Sequence, residues 1–128
     1  MKVFVYGTLK QGYSNHGLLH SAKFIGGGVT VSGGFTMLNG GFPMCLSGGL
    51  FKVKGELYEV QDQRTLDNLD RLEGVPSFFN RHDVSVELSN GDVVDAFMYV
   101  GNPRYGNGAN SGRSYVIPDE NNICEWVR

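Results

Sequence analysis

The dipeptide Asn90-Gly91 constrains the fold of this chain more than any other feature. Asn and Gly both tolerate the positive φ that tight hairpin turns demand. On either side lie residues 79–88 and 93–100, two runs rich in β-branched and aromatic side chains. They are therefore expected to pair as antiparallel neighbours. Strand patterning continues upstream. In residues 50–60, Phe51, Val53, Gly55, Leu57 and Glu59 share one face, and Lys52, Lys54, Glu56, Tyr58 and Val60 the other. Residues 2–6 read as a buried first strand, broken by residues 7–12. Residues 24–38 carry strand-like runs, which this reading interrupts at Gly26–Gly28 and at Gly33-Gly34. Residues 40–46 read as a turn leading into a short apolar run.

Helix signals are few. Residues 14–20 suit a short helix capped by Ser14 or Asn15. Residues 62–73 read as a second helix, closed by Gly74 and Pro76. Two short helices cannot cover both faces of a doubly wound parallel sheet. The expected architecture is α+β: a mixed, barrel-like sheet with one or two short flanking helices. A length of 128 residues suits one domain spanning 1–128, and 41% hydrophobic residues suffice to fill its core. Residues 102–113 are rich in Gly and Asn and are expected to form a mobile loop. Residues 117–128 are expected to return to the body through Ile123 and Trp126.

Bulk properties exclude several functions. The net charge is −2, with acids and bases mixed along the chain and no basic stripe for phosphate contacts, so nucleic acid is not an expected partner. No apolar run approaches the ~20 residues that span a bilayer. The amino end is strand-like and lacks a signal-peptide pattern. A cytoplasmic monomer without membrane association is expected. Cys45 and Cys124 are expected to be reduced and structural. They are too few for a four-ligand zinc site, and no metal is expected.

Glu73 is the strongest candidate for chemistry. Leu66 and Leu69 mark the buried stripe of the 62–73 helix, and Glu73 follows them by seven and four residues, on the same face. It also sits at the negative end of the helix dipole. Both placements disfavour the ionised carboxylate and raise its pKa, as an acid–base catalyst requires. The competing reading is a frayed last turn that swings Glu73 into water, and the helix pattern alone leaves both open. Arg81 can pair with Asp70 or Glu73, or stay solvated; a close pair with Glu73 would lower that pKa. At Tyr6-Gly7-Thr8-Leu9 a buried strand turns sharply. Successive backbone N–H groups in such a turn can bind an anion, with Gly7 permitting close approach of a ligand. An ordinary strand-ending turn has the same composition.

Val3-Phe-Val-Tyr-Gly-Thr-Leu-Lys10, followed by Asn15-His16, resembles the amino-terminal signature of the gamma-glutamylcyclotransferase-like family. Gly55-Glu-Leu-Tyr-Glu-Val60 is similar to its central strand. Leu66-Asp-Asn-Leu-Asp-Arg-Leu-Glu-Gly-Val-Pro76 is similar to the helix that ends in its catalytic acid. Arg81 and Ala96-Phe-Met-Tyr99 fit in the same order, so the resemblance runs collinearly over residues 2–100. It implies a small mixed β-barrel with flanking helices. It also implies a reaction without cofactor or metal. The α-amine of a γ-glutamyl amine or amino acid attacks its own γ-carbonyl, giving 5-oxoproline and a free amine. Glu73 would be the general acid/base, and Tyr6, Gly7, Thr8, Leu9, Phe79 and Tyr99 would bind substrate. The motif style is closer to the gamma-glutamylamine type.

One position departs from the family, which often has a tyrosine where this chain has Phe79. A phenyl ring donates no hydrogen bond, so Tyr58 or Tyr99 becomes the candidate for a hydroxyl, or else each is an ordinary core or rim residue. His16 reads as a capping or packing residue. Two rival readings follow. One is a non-catalytic module of the same fold that binds or sequesters a small metabolite. The other is a cysteine hydrolase using Cys45 with His82.

Overall fold

The computed structural model describes residues 1–106 and 113–128. Along the chain run β1 (Lys2–Val5), a 3-10 helix (His16–Leu19), β2 (Lys23–Thr30), β3 (Phe35–Asn39), β4 (Pro43–Ser47), β5 (Lys52–Glu59) and α1 (Gln63–Glu73). Then follow β6 (Phe79–Leu88), β7 (Val93–Gly101), α2 (Pro103–Gly106), β8 (Ser114–Tyr115) and β9 (Ile123–Cys124).

The hairpin forms as expected. β6 and β7 pair antiparallel from Phe79↔Gly101 to Glu87↔Val93, and Gly91 turns the chain at φ 93°. From there the sheet closes on itself. The order is β1-β7-β6-β2-β5, and β5 returns to β1. The β1–β7 pair is parallel and the other four pairs are antiparallel. The result is a closed five-stranded mixed barrel, which removes the free edges of an open sheet. β9 adds to β5 in parallel. A small second sheet has the order β4-β3-β8.

Strand alternation divides the core in two. Val3, Val5, Tyr58, Phe97 and Tyr99 pack with Leu66 and Leu69 of α1. Phe4, Val53, Leu57, Val86, Met98 and Val100 point the other way and pack with one another. A five-stranded ring is too narrow to hold a helix, so α1 lies outside it and the second cluster fills the interior. β1 and the second half of β7, residues 97–101, are thus buried on both faces.

Two expectations need correction. Gly26–Gly28 do not interrupt the strand: β2 runs through them, with a bulge between Phe24 and Gly26. At Gly28 the reason is proximity to β6. A Cβ on Gly28 would lie 2.6 Å from Val86 Cγ1 and 2.8 Å from the Glu87 carbonyl oxygen. Second, residues 14–20 form only the 3-10 helix, and Asn15 gives it no side-chain cap. Its amide donates instead to Thr8 Oγ1 at 2.9 Å.

Within the expected 102–113 loop, α2 occupies Pro103–Gly106, and residues 107–112 lie outside the described residues. The carboxyl end returns as expected. Trp126 is buried and its indole N–H donates to Asn39 Oδ1 at 3.0 Å. No helix among the described residues is long and apolar enough to cross a membrane.

Candidate active site

Helix α1 is fixed at both ends. The Asp62 carboxylate accepts from the Thr65 N–H at 3.0 Å, a side-chain N-cap. Gly74 takes the left-handed conformation at φ 66°. Its N–H donates to the Arg71 carbonyl at 3.2 Å, and the Val75 N–H reaches the Asp70 carbonyl at 3.0 Å. These bonds satisfy the last carbonyls and hold the final turn closed. Glu73 therefore stays helical and does not fray into water.

Glu73 lines a cavity of about 320 Å³. The other walls come from three places: the β1 exit from Phe4 to Leu9 with Asn15, Phe42 and Pro43 at the start of β4, and Leu72, Phe78, Phe79 and Tyr99 from the α1–β6–β7 side. Part of the Glu73 surface stays accessible because it faces this cavity, yet protein encloses most of the carboxyl. Its pKa is pushed up to about 7 by that burial. No hydrogen bond or ion pair to Glu73 from a described residue opposes the rise.

Arg81 is kept away from Glu73 by Asp70. Its guanidinium binds both carboxylate oxygens, Nε to Oδ1 at 3.0 Å and Nη2 to Oδ2 at 2.8 Å. The Tyr99 hydroxyl donates to the same Oδ1 at 2.8 Å. Asp70 is one turn before Glu73, so this cluster ties the end of α1 to β6 and β7. The Tyr99 hydroxyl is thereby committed, and only its ring is open to the cavity. The Tyr58 hydroxyl donates to Glu56 Oε1 at 3.0 Å, and Tyr58 is not part of the cavity wall.

The loop after β1 has an uneven hydrogen-bond pattern. The Gly7 carbonyl accepts from Lys10 N–H at 3.0 Å and the Thr8 carbonyl from Asn15 N–H at 2.9 Å. The Leu9 carbonyl meets His16 Nδ1 at 2.9 Å. The N–H groups of Gly7, Thr8 and Leu9, by contrast, donate to no acceptor among the described residues. Three carbonyls are held and three donors stay open at a cavity wall.

Tyr6 and Gly7 line the cavity, and each also has a structural task. The Tyr6 hydroxyl is a structural link: it donates to the Tyr99 carbonyl at 2.6 Å and accepts from the Cys45 N–H at 3.1 Å. A Cβ on Gly7 would sit 2.7 Å from Pro43 Cγ, so Pro43 already requires glycine there. His16 holds the Leu9 carbonyl and stacks near Tyr58, which fits its packing role. Asn15, Phe42, Pro43, Leu72 and Phe78 were not singled out as wall residues. Of these, Asn15 carried a sequence signal, as part of the Asn15-His16 pair in the family-like signature.

The cysteine-hydrolase reading is overturned. Cys45 is fully buried, and burial pushes its thiol far up, away from the reactive thiolate. His82 is exposed, with its ring edge-on to Phe35 at 5.6 Å. Among the described residues no group of three or more His, Cys, Asp or Glu is placed to hold a metal ion.

Comparison with known proteins follows this geometry. The family described as "Gamma-glutamyl cyclotransferase, AIG2-like" matches residues 3–122. A Methanocaldococcus jannaschii protein, provisionally named a gamma-glutamylcyclotransferase, is 38% identical over 98 residues, covering 76% of this chain and 81% of its own length. The crystal structure of an AIG2-like protein from Mus musculus superposes with a TM-score of 0.68 at 38% identity, covering 77% of this chain and 75% of that one. An uncharacterized protein from Pyrococcus horikoshii superposes with a TM-score of 0.61 at 27% identity, covering 89% and 85%.

Proposed function

Because the chain belongs to the gamma-glutamyl cyclotransferase, AIG2-like family, we propose that it converts a γ-glutamyl amine or amino acid to 5-oxoproline and a free amine. One observation carries this reading. Glu73 is the only charged side chain on the cavity wall among the described residues, and burial there pushes its pKa up to about 7. A group with that pKa can both accept and return a proton at neutral pH.

The reaction needs no enzyme nucleophile. Ionised Glu73 takes a proton from the substrate's α-ammonium. The freed amine attacks the γ-carbonyl carbon, forming the ring C–N bond and a tetrahedral intermediate. Protonated Glu73 donates to the leaving nitrogen, and the bond from the γ-carbon to that nitrogen breaks. Two protons leave the α-nitrogen in all. Both end on the leaving amine, which departs as an ammonium, and Glu73 is ionised again. The open N–H groups of Gly7, Thr8 and Leu9 bind a substrate oxygen anion, either the α-carboxylate or the γ-carbonyl oxygen as it gains charge. Enclosure supplies the rest by holding amine and carbonyl in contact.

The test is 5-oxoproline release, followed by mass spectrometry, from γ-glutamyl-ε-lysine, γ-glutamyl amino acids and glutathione. Release that is lost in Glu73→Gln supports the reading. Wild-type rates in that variant would remove Glu73 from the mechanism. Tight binding with no product would favour the metabolite-binding module.

A further inference from the structure

The cavity is polar at one end and apolar over the rest. Its polar groups are the open amides of residues 7–9, the hydrogen-bonded side chains of Thr8 and Asn15, and the carboxyl of Glu73. Phe42, Pro43, Leu72, Phe78 and Phe79 form the apolar wall. Three of these rings are locked edge to face: Phe42 to Phe78 at 6.1 Å and 66°, Phe78 to Phe79 at 5.0 Å and 88°. Such a chain of rings is a rigid surface of fixed shape.

This wall adjoins the atom that releases the amine. Leu72 is the chain neighbour of Glu73 and, at 41% exposed, spends its surface on the cavity rather than on the core. Phe78 packs against the cap of α1, where a Cβ on Gly74 would lie 3.1 Å from Phe78 Cβ. A nitrogen that receives its proton from Glu73 therefore carries its substituent along Leu72 and the phenylalanines. No cationic side chain among the described residues lines the cavity. Arg113 lies over the Phe42 ring at 4.3 Å and donates to the Phe42 carbonyl, outside the wall itself. A leaving group bearing a carboxylate would face Glu73 with no wall cation to offset the repulsion. One bearing an ammonium would be desolvated against rings and would pair with the one carboxylate the chemistry uses.

Taking the cyclotransferase reading as its basis, we propose that the leaving amine is an uncharged-tailed, apolar one of arylalkyl size. Phe42, Leu72 and Phe78 are the specificity-determining residues. A hydrophobic wall discriminates by roughly tenfold or more per well-placed group. The same wall penalises a charged tail by at least that much.

Four probes test this: γ-glutamyl-phenethylamide, γ-glutamyl-methylamide, which lacks the benzyl group, γ-glutamyl-phenylalanine, which adds one carboxylate, and γ-glutamyl-ε-lysine, whose tail is zwitterionic. kcat/KM is read from 5-oxoproline release by the full chain. The phenethylamide is expected to exceed each of the others by about tenfold or more. Phe78→Ala should reduce the phenethylamide-to-methylamide ratio by about tenfold. Leu72→Ser, at a partly exposed position, gives the same readout if Phe78→Ala does not fold. Release from the probes with no preference for the phenethylamide, or a preference for the lysine or phenylalanine conjugate, overturns the inference and leaves the cyclotransferase reading standing. No release from any probe by folded protein overturns both.

Discussion

Replacing Glu73 by Gln should stabilise the protein at alkaline pH while removing its activity. The folded carboxyl holds its proton up to about 7, against an ordinary value of 4.5. Between those values the folded state binds one proton more than the unfolded state, so stability falls as pH rises through the window and stays lowered above it. Below 4.5 both states are protonated and the effect is absent. At about 1.4 kcal/mol per pH unit the full penalty is about 3 kcal/mol. Water reaching Glu73 from the cavity trims this to roughly 2–3 kcal/mol. Glutamine keeps the shape and cannot ionise. The stability of Glu73→Gln relative to wild type should therefore rise by that amount between pH 4 and pH 8. This corresponds to about 10 °C in Tm for a domain of this size. Urea or thermal unfolding of both proteins across the range measures it, and every other titrating group cancels in the difference. A flat difference from pH 4 to 8 would mean that Glu73 ionises freely in the folded state, and would refute the acid–base argument.

Three further outcomes are expected. In steady-state assays kcat/KM should drop about tenfold per pH unit below about 7, as Glu73 gains the proton that blocks its role as base; an acid limb near 4.5 instead would contradict the burial of the carboxyl. Arg81→Leu breaks the bidentate pair with Asp70 and should lower stability by ~1–3 kcal/mol and reduce kcat more than it raises KM, with Arg81→Lys restoring only part because an ammonium cannot hold both oxygens. Urea denaturation and initial rates check this, and an unchanged kcat would detach the cluster from Glu73. Gly28→Ala should cost ~1–3 kcal/mol, since its Cβ meets Val86 and Glu87, whereas Gly27→Ala, whose nearest neighbour is 3.8 Å away, should cost under ~1 kcal/mol by urea denaturation.

Much of this molecule is local and therefore legible. The Asn90-Gly91 hairpin, the alternation of β5 and the extent of α1 follow from turn chemistry, side-chain period and caps that lie within each segment. The place of Glu73 on the Leu66–Leu69 face follows from helix period alone. Gly26–Gly28 misled because a strand glycine reads as a break, whereas the approach of β6 is what requires the glycine at position 28.

The sequence by itself determined which face of each element is apolar, where α1 ends and that its last residue is an acid on the buried side. Tertiary structure decided what that acid meets. Its raised pKa depends on Arg81 being taken by Asp70, a choice among Asp70, Glu73 and water that spacing leaves open. The open donors of residues 7–9 depend on which partners hold the three carbonyls. The apolar wall depends on Phe42 and Pro43 arriving beside a helix some thirty residues later in the chain. Periodicity encodes the burial of a face, whereas electrostatics and cavity shape depend on distances between faces, and those are set only when the barrel closes.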